Sequence, residues 1–376
     1  MKIAWLALLA APSVVDSLYR IVLGLASRRW STKRPPRRPL SSALVLVPAR
    51  LEGAAVEPTL RSVRSAREDL RLRTVLILDG PDPEAEAAAL KCGAEVALKE
   101  PAGDSKGDVL KWAGSNLRQE IEATDAVFVL DVGSEFSEGF LDDFGMPDGV
   151  DGVQGFLSGS GDGPGSAAAV SERTAQRCED CGREVLGWTV RLRGTGFALR
   201  PEAFLSVLPD LRTQVEDYEM SLLLAAAGTR LVMGSPDVFV LDQKPIRVRS
   251  AARQRARWLA GQVSVPLRQA GALMRLLVRR PLEAFGFAAE VGGRPLSLTI
   301  PLRVGLVAAI LLVGPVSTTS LWLVGLLGLS AVFDVVLIAS RKGFRLSSSL
   351  SLVLSWLHAL VLVPRAFLRW MSVRRS

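Results

Sequence analysis

Four acidic positions and one basic-aromatic cluster hold the residue types in this chain best suited to chemistry. Asp79 and Asp131 each directly follow a short apolar run, Glu216-Asp217 stand before a helical pattern from Tyr218 to Ala227, and Gln254-Arg255-Ala256-Arg257-Trp258 gathers two guanidiniums and an indole. A carboxylate within hydrogen-bond reach takes a proton from an attacking hydroxyl. Guanidinium or ammonium donors neutralise a departing anion. An indole offers a flat apolar face. Each feature also has a purely structural reading. Asp79 caps the turn at Gly80-Pro81, Glu216-Asp217 favour a helix N-terminus, and the arginines from Arg247 to Arg257, with Trp258, form a basic, aromatic face against lipid headgroups.

The elements that must position these residues read as alternating strands and helices. Apolar runs Ala43 to Val47, Thr74 to Leu78, Ala94 to Leu98 and Ala126 to Leu130 alternate with helical patterns over Ala54 to Glu68 and Ser105 to Glu122. Fully apolar strands between helices predict a parallel sheet covered on both faces. Ligands of such sheets bind beyond the carboxyl ends of the strands, where Asp79 and Asp131 fall.

Composition places this domain beside a membrane. The chain has 376 residues, is 49% hydrophobic and carries a formal charge of +8 from 46 Lys plus Arg against 38 Asp plus Glu, with a mean hydropathy of +0.27. The basic residues cluster beside apolar stretches, which favours a phospholipid surface and phosphate-bearing substrates over nucleic acid. Three cysteines make no paired disulfide framework, and the single histidine, His358, rules out histidine-built triads and metal sites.

From Ile3 to about Ala26 runs an apolar stretch long enough to span a bilayer. A cleaved signal peptide is the other reading, opposed by the basic block from Arg28 to Arg38, which belongs on the cytosolic side. Asp16 and Arg20 stand four apart and pair on one helical face. Val263 to Phe287, laced with Arg268, Arg275, Arg279 and Arg280, suits a helix lying in the interface. Leu298 to Val313, Thr319 to Ala339 and Leu350 to Leu368 are further candidate spans, with Arg341 to Arg345 a cytosolic loop. Four full crossings would place Arg374-Arg375 outside, so the last segment re-enters, lies flat or is not a span. The organisation expected is an N-terminal transmembrane helix (1–27), a basic linker (28–40), an α/β domain (41–260), interfacial helices (261–297) and a C-terminal transmembrane region (298–376).

Two other motifs read structurally. Leu157 to Ser166 is rich in glycine and serine but lacks a phosphate-loop pattern, and is expected to be a flexible loop over the site. Cys178-Glu179-Asp180-Cys181 has the spacing of half a zinc site with no second half, hence two thiols on a helix.

In their order, these signatures resemble the membrane-integrated glycosyltransferases of family 2, the group containing cellulose and hyaluronan synthases, and the related ceramide glucosyltransferases. Val47-Pro48-Ala49-Arg50-Leu51-Glu52 is similar to the family's opening strand end, Leu78-Asp79-Gly80 to its Asp-Asp-Gly motif and Ser105-Lys106-Gly107 to its Gly-Lys segment. Asp131-Val132-Gly133 sits where Asp-x-Asp belongs, Gly194-Thr195-Gly196-Phe197 where the acceptor-side glycine turn does, and Val215-Glu216-Asp217 where Thr-Glu-Asp does. Gln254 to Trp258 matches the Gln-x-x-Arg-Trp signature in full.

The resemblance implies a Rossmann-like GT-A domain flanked by transmembrane and interfacial helices, with its site facing the cytosol at the plasma (inner) membrane. It implies that Asp217 is the base, with Glu216 beside it. Pro48, Glu52, Asp79, Lys106, Asp131, Gln254, Arg255 and Arg257 would bind the donor, a UDP-sugar, while Gly194, Thr195, Gly196 and Trp258 would meet the acceptor. Mg²⁺ or Mn²⁺ would lie on Asp131, but Gly133 replaces the second aspartate, leaving Glu135 as the nearest further carboxylate. The expected activity is inverting transfer to a growing polysaccharide; single transfer to a lipid, or an inactive nucleotide-binding scaffold, are the alternatives. A homo-oligomer or partner subunit stays open.

Overall fold

The computed structural model describes residues 2–31, 38–160, 164–244, 247–289, 296–313 and 317–339, with short pieces between 353 and 362. The basic block from Lys33 to Arg37, the loop Arg341 to Arg345, most of the last apolar segment and Arg374-Arg375 lie outside the described residues.

Helix α1 (Lys2–Ser27) leads into β1 (Ser42–Ala49), α2 (Val56–Ser62), β2 (Arg71–Asp79), α3 (Pro83–Lys91), β3 (Glu95–Lys99), α4 (Lys106–Asn116) and β4 (Ala126–Val129). There follow β5 (Ser134–Phe136), β6 (Gly152–Gln154), β7 (Phe156–Ser160), α5 (Pro164–Ala175), β8 (Phe197–Leu199), α6 (Glu216–Ala227), β9 (Leu231–Met233) and β10 (Phe239–Gln243). The chain continues through α7 (Val248–Arg268), α8 (Ala270–Arg279), α9 (Pro281–Ala289), α10 (Leu296–Val313) and α11 (Thr318–Ala339).

The main sheet runs β9-β6-β8-β4-β1-β2-β3, and a smaller one runs β5-β10-β7. Strands β1 to β4 are parallel neighbours, as their apolar runs predict. The sheet as a whole is mixed, not parallel throughout: β8 lies antiparallel between β4 and β6. Strands of three residues carry too little periodicity for their direction to be read. Alternate residues feed two cores, Leu44, Leu46, Val75, Ile77, Val127 and Val129 on one face, Ala43, Val45, Val47, Leu76, Leu78 and Phe128 on the other. Both faces are dry, which explains why these strands read as continuous apolar runs.

Several elements differ from expectation for local reasons. Helix α2 stops at Ser62, where Val63 turns to ψ 84°, and the Ala66 amide donates to Asp142 Oδ1 at 2.9 Å. The expected helix Ser105 to Glu122 divides at Leu117, its start capped by Ser105, which accepts from the Asp108 amide at 3.2 Å. The glycine- and serine-rich stretch is no loop over its first half: residues up to Ser160 form β7, paired with β10. Gly159 is required there, since a Cβ would stand 2.6 Å from Ala169 Cβ of α5. Residues 161–163 lie outside the described set. Helix α7 carries the whole basic-aromatic cluster and runs on to Arg268. Glu219 ties its end to α6, accepting from Gln269 Nε2 at 2.6 Å. Helices α8 and α9 bury Ala272, Leu276, Ala284 and Phe287 against the domain, yet turn Met274, Val278, Leu282 and Phe285 outward.

Helix α1 is packed on the domain. Gly182 lies so close that a Cβ there would meet Leu23 O at 2.3 Å. Tyr19 stacks on Trp188 with centroids 6.2 Å apart, and Trp30 Nε1 donates to Glu184 at 3.0 Å. Asp16 and Arg20 do pair, at 3.3 Å, but Asp16 also accepts from Arg303 of α10 at 2.9 Å. Arg20 reaches Glu179 at 3.3 Å. This buried ionic chain joins α1, α10 and the segment after α5. Among the described residues no helix is long and apolar enough to cross a membrane; the expected spans rest partly on side chains outside that set. Gly182→Ala should lower Tm, with an overpacking cost of about 1–3 kcal/mol, as read by thermal denaturation. An unchanged Tm would show that α1 does not approach Gly182 this closely.

Candidate active site

Asp131 emerges at the carboxyl end of β4, and Lys106 opens α4 beside it. The Lys106 ammonium pairs with Asp131, stands 3.2 Å from Glu216 Oε1 and donates to the Gly194 carbonyl. Burial opposes its charge, but the carboxylates of Asp131 and Glu216 outweigh that and hold the ammonium above the usual lysine range. Glu216 and Asp217 occupy the first turn of α6, pointing into the same space. A Cβ on Gly194 would stand 3.4 Å from Asp217 Oδ2 and 4.0 Å from Asp131 Oδ2, and its φ is +80°. The positive φ favours glycine here, and a Cβ at those distances would lie in van der Waals contact with both carboxylates. Thr195 Oγ1 accepts from the Asp131 amide at 3.0 Å, and Gln154 Nε2 donates to Thr195 O at 3.1 Å, so the glycine turn is clamped to the end of β4.

Burial, then repulsion from Glu216 and Asp131, pushes the Asp217 carboxyl up to about 7, against the Tyr218 amide and Lys106, which pull it down. That amide donates to Asp217 Oδ1 at 2.8 Å, leaving Oδ2 free of it. Burial also raises Asp131, offset in part by Lys106. A carboxylate poised near neutrality is what proton abstraction from a hydroxyl requires.

These groups line one cavity of about 500 Å³, together with Thr195 and with Gln254, Arg255, Arg257 and Trp258 of α7. Arg255 is buried, and that burial lowers its guanidinium to about 10. Trp258 is 38% exposed. Helix α7 is seated against α5 through Ala167, Ala252, Ala256 and Leu259.

The remaining sequence candidates are placed differently. Asp79 is buried at the end of β2, outside the lining: its Oδ1 accepts from the Gly103 amide at 2.6 Å, with Lys99 at 3.4 Å and Arg50 at 3.6 Å. It thus organises the loop that delivers Lys106. Glu52 also lies off the lining; burial, then Asp82 and Asp131, raise its carboxyl. Pro48 lies within β1 and Gly196, whose amide donates to Val129 O at 2.8 Å, behind the turn. Glu135 belongs to β5, opposite Leu241 of β10, and does not reach the cavity lining. Cavity residues that sequence reasoning missed include Glu172, Arg193, Asp242 and Lys244. Arg193 directly precedes the glycine turn and Asp242 follows the apolar run Val238 to Leu241, the available signals; Glu172 had none.

At the end of β4 a divalent ion finds Asp131, which is paired with Lys106, and no second aspartate on the same turn. Gly133, at φ +86°, supplies none, and among the described residues no three His, Cys, Asp or Glu side chains are gathered to hold a metal. Mg²⁺ and Mn²⁺ tolerate such a site only when phosphate oxygens complete the shell, and Asp131 fits that role. Mn²⁺ should therefore bind in calorimetry when UDP is present and not to the nucleotide-free chain. Tight binding without nucleotide would show a ligand set that this assignment misses.

An α/β domain with carboxylates and cations converging beyond its strand ends can hold a substrate that carries both phosphate and hydroxyl groups. The chain belongs to glycosyl transferase family group 2, whose model matches residues 167–368, more than half of it. Its fold is GT-A-like: it is similar to a mannosyltransferase from Pyrobaculum calidifontis in complex with GDP-mannose and Mn²⁺, at 15% identity and TM-score 0.57, covering 96% of this chain and 99% of that one. Glucosyl-3-phosphoglycerate synthase from Mycobacterium tuberculosis, solved with Mn²⁺, UDP and phosphoglyceric acid, aligns at 17% identity and TM-score 0.41, covering 65% of this chain and 81% of that one. No curated protein sequence matches.

Proposed function

We propose that this glycosyltransferase is an inverting hexosyltransferase at the cytosolic face of the plasma (inner) membrane, moving a sugar from a UDP-sugar to the end of a growing polysaccharide. The observation that carries the reading is the convergence of Lys106, Asp131, Glu216 and Asp217 with the α7 cluster on one cavity. The acceptor hydroxyl gives its proton to Asp217 Oδ2 as its oxygen attacks the anomeric carbon. The bond from that carbon to the diphosphate oxygen breaks on the opposite side, inverting the centre. Lys106, Arg255 and Arg257 face the charge that grows on the leaving diphosphate. Mg²⁺ or Mn²⁺ held by Asp131 and the diphosphate would supply further neutralisation.

The membrane part of the reading rests on outward apolar side chains of α8 to α11, such as Met274, Val278, Leu312 and Trp322, with Arg275, Arg279 and Arg280 beside them. A second reading, one transfer to a lipid headgroup, is favoured by the Asp131-Val132-Gly133 form, which resembles that of the ceramide glucosyltransferase branch, and by the position of α1, whose Asp16, Tyr19 and Arg20 line the same cavity. Purified protein in nanodiscs, given a panel of radiolabelled UDP-sugars, separates the two. A ladder of products supports the polymer; a single sugar on extractable lipid supports the second reading; no transfer from any donor overturns both.

A further inference from the structure

One wall of the cavity is a chain of alternating charges that the transfer step does not use. Arg193, one residue before the glycine turn, donates through Nε to Asp180 Oδ2 at 2.7 Å and through Nη1 to Glu172 Oε1 at 2.9 Å. Lys244 pairs with Asp242, and its Nζ stands 4.0 Å from Glu172 Oε2. Glu172 comes from α5, Asp242 from β10, and Arg193 from the loop before β8, so three distant segments are brought together for this wall. Asp180 is wholly buried behind it, whereas the side chains of Arg193 and Glu172 stay 18% and 21% exposed and those of Lys244 and Asp242 12% and 20%.

Burying such a chain costs free energy that an apolar wall would not, yet its open ends face the cavity. The gap between Lys244 and Glu172 exceeds the N–H···O range of about 2.7–3.2 Å. An ammonium only donates and a carboxylate only accepts. Each already has a charged partner, Asp242 for Lys244 and Arg193 for Glu172, so what bridges the gap between them is a neutral group that both donates and accepts, as a sugar hydroxyl does. Glu172 and Asp242 are balanced by Arg193 and Lys244, so the wall offers no net charge to a phosphate or carboxylate, and an alkyl chain would leave its part-exposed polar atoms without solvation. Helix α5, carrying Glu172, packs through Ala167 directly on α7, which carries Trp258. Charged hydrogen-bonding groups and an exposed indole on one cavity suit a pyranose, whose faces are apolar and whose rim is hydroxylated.

We propose that Glu172, Lys244 and Asp242 form an acceptor subsite that holds the hydroxyls of an uncharged glycosyl unit while Asp217 takes the proton of the attacking one. The subsite rests on the transferase reading and narrows it: the acceptor end is a sugar, whatever carries that sugar. Water has the same two hydrogen-bonding capacities, so affinity for the acceptor is the measurement that discriminates.

The test uses the full chain in nanodiscs with the UDP-sugar it hydrolyses or transfers, following UDP release with methyl β-glucoside, cellobiose and chitobiose as soluble acceptors and glycerol as acyclic control. Donor binding is measured in parallel by calorimetry. Wild type should be accelerated by at least one sugar and not by glycerol. Lys244→Met and Glu172→Gln should each raise the acceptor KM about tenfold, the loss of one charge-assisted hydrogen bond, with donor Kd and kcat within about twofold. Unchanged donor binding shows that the variants are folded. An unchanged acceptor KM, a raised donor Kd in both variants, or no acceleration by any sugar overturns the subsite. No UDP release from any donor in wild type is a separate result, and it removes the transferase reading instead.

Discussion

Asp217→Asn should abolish transfer while leaving UDP affinity intact. Removing the proton acceptor forfeits about 10²–10⁴ in rate, whereas in the proposed mechanism the diphosphate is held by Lys106 and the α7 arginines. In wild type, kcat/KM should rise as pH climbs through about 7, the value to which burial and Glu216 push this carboxyl, because the ionised form is the base. Stability should move the other way. The unfolded chain loses the Asp217 proton near its ordinary value of 3.8 and the folded chain near 7. Between those values the folded state holds a proton that the unfolded state has lost, so stability falls as pH rises across that window. Asn cannot ionise, so the variant's Tm should fall less than wild type between pH 4 and 8. Residual turnover within tenfold of wild type would remove Asp217 from the base role.

Lys106→Met should weaken UDP binding by about 100-fold, or about 3 kcal/mol, the scale of removing a buried charged partner. The lysine stands between Asp131 and Glu216, so its loss leaves two carboxylates facing an incoming diphosphate. A second signature separates this from simple misfolding. Lys106 holds the Asp217 carboxyl down, so the rising limb of the variant's pH profile should move alkaline. Lys106→Arg keeps the charge but spreads it over a planar fork that does not match the three oxygens Lys106 now contacts. It should recover part of the UDP affinity and less of the rate. Undiminished UDP affinity in Lys106→Met would place the diphosphate elsewhere.

How far the site was legible depended on how local each residue's task is. Asp131, Glu216, Asp217, Lys106 and the α7 cluster stand at strand ends, helix starts or on one helical face, positions that spacing marks, and all line the one cavity. Asp79 obeys the same strand-end rule yet turns to Gly103 and Lys99, because the rule names an end of the sheet and not a side-chain direction. Glu135, two residues from Gly133, is carried away by its pairing within the small sheet. Nothing beside Arg303 along the chain marks it, since its bond to Asp16 spans 287 positions.

Periodicity, apolar run length and the order of acidic and basic signatures sufficed to define an α/β domain, its four parallel strands and the groups at their carboxyl ends, since those features are set by neighbours along the chain. Tertiary structure alone decided the direction of the three-residue strands, the burial of α1 on the domain, and the wall formed by Glu172, Arg193, Asp242 and Lys244. Those depend on contacts between segments tens of residues apart, where a charge is stable only because its partner arrives from another element.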